Sequence, residues 1–164
     1  HTKTILKSIK HPILRIRKLA PNKKLHESLQ KNKQEIIVIN NEKIEIEGIV
    51  FSGVTYHDTE TAEGLIRNLD ALDLEEKKPN ILLKHKPTLH TTIEKYPIDL
   101  VVSWHTHSWQ FFPLSLIMKM VYGKYVYGKV EKNNQTAITT CGVGTWWPPQ
   151  RVGTRSEIVV IEIA

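Results

Sequence analysis

At 164 residues, with ordinary fractions of 40% hydrophobic and 24% charged side chains, the chain can bury one core but is too short for several domains. A single cysteine, Cys141, excludes a disulfide scaffold. The longest uncharged apolar run, eight residues from Phe111 to Met118, contains Pro113 and is too short for a transmembrane helix.

The net charge of +6 is local: residues 1–33 hold ten Lys or Arg against Glu27 alone, a local +9 that leaves −3 for residues 34–164. The division into a basic segment, 1–33, and a domain, 34–164, follows. Ile5, Leu6, Ile9, Ile13, Leu14, Ile16 and Leu19 alternate with Lys3, Lys7, Lys10, Arg15, Arg17 and Lys18, giving an amphipathic stretch interrupted by Pro12. An anionic membrane surface would attract it, each cation contributing on the order of 1 kcal/mol. Nucleic acid is the disfavoured polyanion, because no aromatic stacking residue or nucleic-acid motif accompanies the charge. A solvated helical face packed on the domain stays open as a third reading. No secretory signal is visible, so the expected location is cytoplasmic or peripheral to a membrane, with an upstream anchor left open.

Pro21 to Gln30 has helix chemistry, with Leu25 and Leu29 on one face. Glu35 to Asn40 and Lys43 to Glu47 are predicted strands around an Asn40-Asn41 turn, and Gly48 to Thr55 a third, buried strand. Tyr56, His57 and Asp58 follow in a loop; they either line a substrate pocket or, the favoured reading, form a capped turn before the next helix. That helix, Thr59 to Leu72, sets Leu65, Ile66, Leu69 and Leu72 on one stripe.

Asn80 to Lys84 is a short apolar strand ending at His85, and a second strand from Asp99 runs into Ser103-Trp104-His105-Thr106-His107. A helix near Thr88 to Lys95 joins them as a β-α-β crossover. In extended backbone, residues i and i+2 project to one side, so His105 and His107 can converge beyond the strand end, with His85 beside them. Three imidazoles at neighbouring strand ends is a metal-site pattern, weighed against ordinary packed or solvated histidines. A helix at Leu114 to Met120 and strands near Tyr125 to Val130, Thr136 to Cys141 and Ile158 to Ile163 complete an α/β (α+β) chain. Cys141 reads as a small buried apolar residue. Arg151 and Arg155 read as surface salt links, with phosphate contact the alternative.

From Ser103 to Gln110 and beyond, the chain resembles a calcineurin-like metallophosphoesterase. His85-Lys86-Pro87 is similar to that family's His-x-Pro, and Ser103-Trp104-His105-Thr106-His107-Ser108-Trp109-Gln110 to its Ser-Gly-His-Thr-His-Gly-Gly-Gln. Gly142-Val143-Gly144-Thr145-Trp146-Trp147-Pro148-Pro149 and Ser156-Glu157-Ile158 are similar to Gly-Thr-Trp-Gly-Pro-Pro and Ser-Glu-Ile segments of a branch whose members often carry membrane anchors. The resemblance covers roughly Leu29 to Ala164 and corresponds to the second half of the catalytic domain. It implies the C-terminal half of a four-layer α/β/β/α sandwich with mixed sheets.

The same resemblance implies hydrolysis of a phosphate mono- or diester by two divalent metal ions, with Mn, Fe or Zn favoured by imidazole ligation. Carried over, His85 and His105 hold one metal, His107 the other, and His105 is the catalytic residue. The family's Asp-x-His, Gly-Asp-x-x-Asp and Gly-Asn-His segments are not found in this chain; His1 reads as an arbitrary first residue and not as the end of the last of these. Trp104, Trp109 and Trp147 stand where the family pattern has Gly, where an indole is expected to crowd the loop; UGA codons read as glycine in the source would account for all three. Two further readings are a non-catalytic peripheral-membrane or regulatory module on part of such a scaffold, and nucleic-acid binding through residues 1–33.

Overall fold

In the structure, a computed structural model, residues 37–107, 114–142, 144 and 150–161 are described. The basic segment 1–33 with its predicted helix Pro21 to Gln30, and Trp109, Trp146 and Trp147, lie outside them.

Strand β1 (Glu42–Ile46) pairs antiparallel with β2 (Ile49–Gly53) through the two-residue loop Glu47-Gly48. Both loop residues have positive φ, +53° and +81°, the backbone of a tight hairpin whose twist matches that of its strands. The hairpin therefore differs from the predicted one around Asn40-Asn41, since residues 37–39 form no strand. Gly53 explains why this segment runs alongside: a Cβ there would collide with the Ile39 carbonyl oxygen, so glycine admits the close approach. Asn41 fastens it, its Oδ1 accepting from the Thr55 amide at 2.8 Å and its Nδ2 donating to Asp58 at 3.2 Å.

Helix α1 (Ala62–Ala71) starts at Thr61, whose hydroxyl accepts from the Gly64 amide at 3.1 Å. Its stripe of Leu65 and Leu69, continued by Leu72, is buried as predicted, whereas Ile66 is 37% exposed and off the stripe. Strand β3 (Asn80–Leu83), the short helix α2 (His90–Ile93) and β4 (Leu100–Ser103) form the predicted parallel β-α-β unit. Helix α3 (Leu114–Tyr122) leads through a 3-10 turn, Gly123–Val126, into β5 (Gly128–Lys132) and β6 (Gln135–Thr139), each shifted by a few residues from prediction.

All six strands join one mixed sheet in the order β1-β2-β3-β4-β6-β5, parallel at β2-β3, β3-β4 and β4-β6 and antiparallel at both edges. This is the expected α/β architecture. Alternation along the central strands divides the core: Leu82 and Val101 pack with Leu65, Leu69, Ile93 and Ala137, while Ile81, Leu83 and Leu100 pack with Phe51, Val102 and Ile138 on the other face. The predicted strand Ile158 to Ile163 does not form at 158–161, where Ile158 is 80% exposed. Among the described residues no helix is long and apolar enough to cross a membrane.

Candidate metal centre

Parallel pairing of β3 with β4, in register Leu83 with Val102, brings their C-terminal ends to one edge. Beyond that ladder the Lys84 amide donates to the Val102 carbonyl at 3.0 Å, and the His85 carbonyl accepts from the Trp104 and His105 amides at 3.3 and 3.0 Å. This backbone junction sets the two imidazoles face to edge, ring centres 4.7 Å apart, with His105 Nδ1 and His85 Nε2 separated by 2.9 Å.

The separation suits a shared ion. Two nitrogens each about 2.05 Å from one metal lie about 2.9 Å apart at a right angle and about 3.3 Å apart at the tetrahedral angle. Without metal the pair can share a proton as a hydrogen bond. Among the described residues no group of three or more His, Cys, Asp or Glu side chains is arranged to hold a metal, so the structure brings His85 and His105 together but not His107 with them.

His107 departs from the predicted geometry because β4 ends at Ser103 and residues 105–107 form a turn. His107 sits at φ +48°, so the same-side argument for i and i+2 in extended backbone does not apply. Its Nδ1 is buried with no hydrogen-bond partner, and burial lowers its pKa, reinforced by the nearby Arg151 charge and opposed by a Cys141 backbone hydrogen bond.

Several residues besides the three histidines shape the centre, Lys84 and Tyr122 among them without a signal in the sequence. Lys84 is 1% exposed, and its ammonium donates to the Lys86 carbonyl at 3.0 Å and to Thr88 Oγ1 at 3.1 Å, tying down the loop that starts at His85. Tyr56 packs edge-on to His85 at 5.3 Å between ring centres and near-parallel to His105 at 6.2 Å. The Lys86 ammonium lies 4.7 Å from the Tyr56 ring centre and pairs with Glu60 at 2.7 Å, an arrangement that raises its pKa and keeps it charged. Tyr122, from the end of α3, reaches within 6.1 Å of His105.

Asp58 lies in a 3-10 turn, His57–Thr59, but does not cap the next helix, a role Thr61 takes; it accepts from Thr55 Oγ1 and Asn41 Nδ2, and these bonds lower its pKa. Trp104 does not crowd the loop. It has no left-handed φ, joins the Ile81, Leu83, Leu100 cluster and meets the His85 ring edge-on at 5.7 Å, so the steric expectation fails at this position. Cys141 is 2% exposed and its thiol donates to the Arg155 carbonyl; burial raises its pKa, in keeping with packing and not nucleophilic attack. Among the described residues Arg151 makes no surface salt link; its guanidinium donates to backbone carbonyls.

The chain is similar to an uncharacterized metallophosphoesterase of Helicobacter pylori, 31% identical over 136 residues that make up 80% of this chain and 36% of that protein. An uncharacterized metallophosphoesterase of Aquifex aeolicus is 32% identical over 77% of this chain and 50% of its own length. A transmembrane protein with metallophosphoesterase domain from Danio rerio is 36% identical over 51% of this chain and 20% of its own length. The chain thus spans half or less of the length of these curated relatives. No family model and no solved structure matches it.

Proposed function

Because the chain belongs to the calcineurin-like metallophosphoesterase superfamily, we propose that it supplies histidine ligands to a two-metal centre that hydrolyses a phosphate mono- or diester. The observation that carries this reading is the 2.9 Å approach of His105 Nδ1 to His85 Nε2 at adjoining parallel strand ends. His85 and His105 would hold one divalent ion, and His107 the second, together with donors from outside the described residues. When bound, such ions neutralise phosphoryl charge and make water a stronger nucleophile near neutral pH; imidazole ligation favours Mn, Fe or Zn.

The chain's own residues bind and orient. Lys84 holds the His85 loop in place, and Lys86, kept protonated by Glu60, offers a cation on the same side as Tyr56. Tyr56 and Tyr122 flank His105, the proposed catalytic residue. Residues 1–33 are proposed to rest on an anionic membrane surface; their +9 charge supports a peripheral location, with cytoplasmic the alternative.

Calorimetric titration with Mn2+ and Zn2+, paired with hydrolysis of bis(p-nitrophenyl) phosphate, tests the assignment. His85→Ala and His105→Ala should each weaken ion binding at least about tenfold, comparable to losing even an outer-shell partner. If the wild type takes up neither ion, the metal assignment is wrong and a non-catalytic module becomes the reading. Affinity for DNA that falls steeply with salt would instead favour nucleic-acid binding.

A further inference from the structure

We propose that Arg151 is a positioning residue for His107, its guanidinium locking the left-handed turn on which that histidine stands; the functional consequence rests on His107 being a metal ligand. A histidine at φ +48° occupies a region that residues with a Cβ avoid, so the conformation persists only where the surroundings impose it. Two anchors do so. On the N-terminal side Thr106, 2% exposed, donates from Oγ1 to the Val126 carbonyl at 2.7 Å, fixing the turn to the segment before β5. On the C-terminal side Arg151 Nη1 donates to the His107 carbonyl at 3.1 Å.

The other arm of the guanidinium faces the exit of β6. Arg151 Nη2 donates to the carbonyls of Cys141 at 2.8 Å, Gly142 at 3.3 Å and Gly144 at 2.6 Å. That exit is itself fastened by Glu157, whose carboxylate accepts from the Cys141 amide at 3.0 Å and Thr140 Oγ1 at 2.8 Å, and whose amide donates to the Gly142 carbonyl at 3.1 Å. Arg151 therefore transmits the rigidity of the β6 exit to the His107 turn. Four acceptors in two separate segments demand a planar donor with several N–H groups pointing apart, which a lysine ammonium cannot reproduce. Because all four are backbone carbonyls, the guanidinium serves chain geometry and not a substrate anion.

The test uses the full chain labelled uniformly with 15N and 13C, in wild type, Arg151→Met and Arg151→Lys, titrated with Zn2+ and followed by NMR. In Arg151→Met the His107 Cα and Cβ shifts should leave the left-handed range and its ring response should move to at least tenfold higher Zn2+, while the His85 and His105 midpoints stay within twofold. Arg151→Lys should fall between, and it decides the matter if the methionine variant does not fold. Unchanged His107 shifts in both variants would overturn the proposal, as would equal weakening at all three histidines, the mark of general loosening. If His107 ignores Zn2+ in the wild type, the metal-ligand reading fails separately, and the backbone shifts still decide whether Arg151 holds the turn.

Discussion

His90 should make the fold acid-sensitive. It is 7% exposed on α2, its ring stacked on Tyr125 with centres 3.8 Å apart and planes 12° apart, and neither ring nitrogen meets a partner of good hydrogen-bonding geometry. Burial, helped by the Lys84 ammonium and by Lys132, pushes its pKa down to about 4, and the Pro87 carbonyl and Glu94 offset this only in part. Between pH 6.5, its ordinary value, and about 4, the unfolded chain binds a proton that the folded chain refuses. Stability is therefore fully present above about 6.5 and falls as pH drops, by about 1.4 kcal/mol per pH unit and about 3 kcal/mol in all, a large fraction of a typical 5–15 kcal/mol. His90→Phe keeps the stack on Tyr125 without a titrating group. Urea unfolding of wild type and variant at about pH 7 and about pH 4.5 should show the wild type losing about 2.5 kcal/mol more than the variant. His107 and the carboxylates titrate in both proteins and cancel in the difference. If the variant loses as much stability as the wild type, His90 is not the refusing group and the reasoning fails.

Leu65→Ala, at a fully buried site, should cost about 3 kcal/mol by urea unfolding, and a loss under about 1 kcal/mol would mean that the α1 stripe is not packed on the sheet. Thr61→Ala removes the helix cap and should cost about 1 kcal/mol, with Thr61→Ser recovering most of it. Lys84→Met keeps the stem but leaves the Lys86 carbonyl and Thr88 hydroxyl without this donor; it should lower thermal stability and weaken Mn2+ binding through His85, and unaltered binding would separate Lys84 from the centre. Tyr127 donates to Glu157 at 2.6 Å, and that bond, with burial, raises its phenol pKa to about 12. Ultraviolet titration of Glu157→Gln should show one tyrosine titrating earlier than in wild type; identical curves would contradict the bond.

The parts of the fold legible in the sequence are those where one local signal stands unopposed. Asn80 to Leu83 and Leu100 to Ser103 are apolar runs of strand length with a helix-length gap between them, which permits little besides parallel strands and a crossover. The hairpin was misplaced because Asn40-Asn41 and Glu47-Gly48 both carry turn chemistry, and the choice is made by the contact of Gly53 with Ile39, which local sequence does not announce. Ile158 to Ile163 is a β-branched apolar run like a strand, yet a strand needs a neighbour to pair with, and 158–161 has no ladder. At the site, three histidines at strand ends were readable, but which two meet depends on the Leu83–Val102 register and on where β4 stops. Lys84 does not stand out as an anchor, and Arg151 reads as a surface salt link, because their partners are mostly main-chain carbonyls, which every residue carries.

Charged side chains mark both edge strands of the described sheet. β1 turns Glu42, Lys43 and Glu45 toward solvent, and β5 turns Lys129 and Glu131, so a strand arriving at either side would have to strip water from charged side chains before gaining a ladder. The same charged borders give the molecule a defence against fibril formation that is independent of whether any metal is bound.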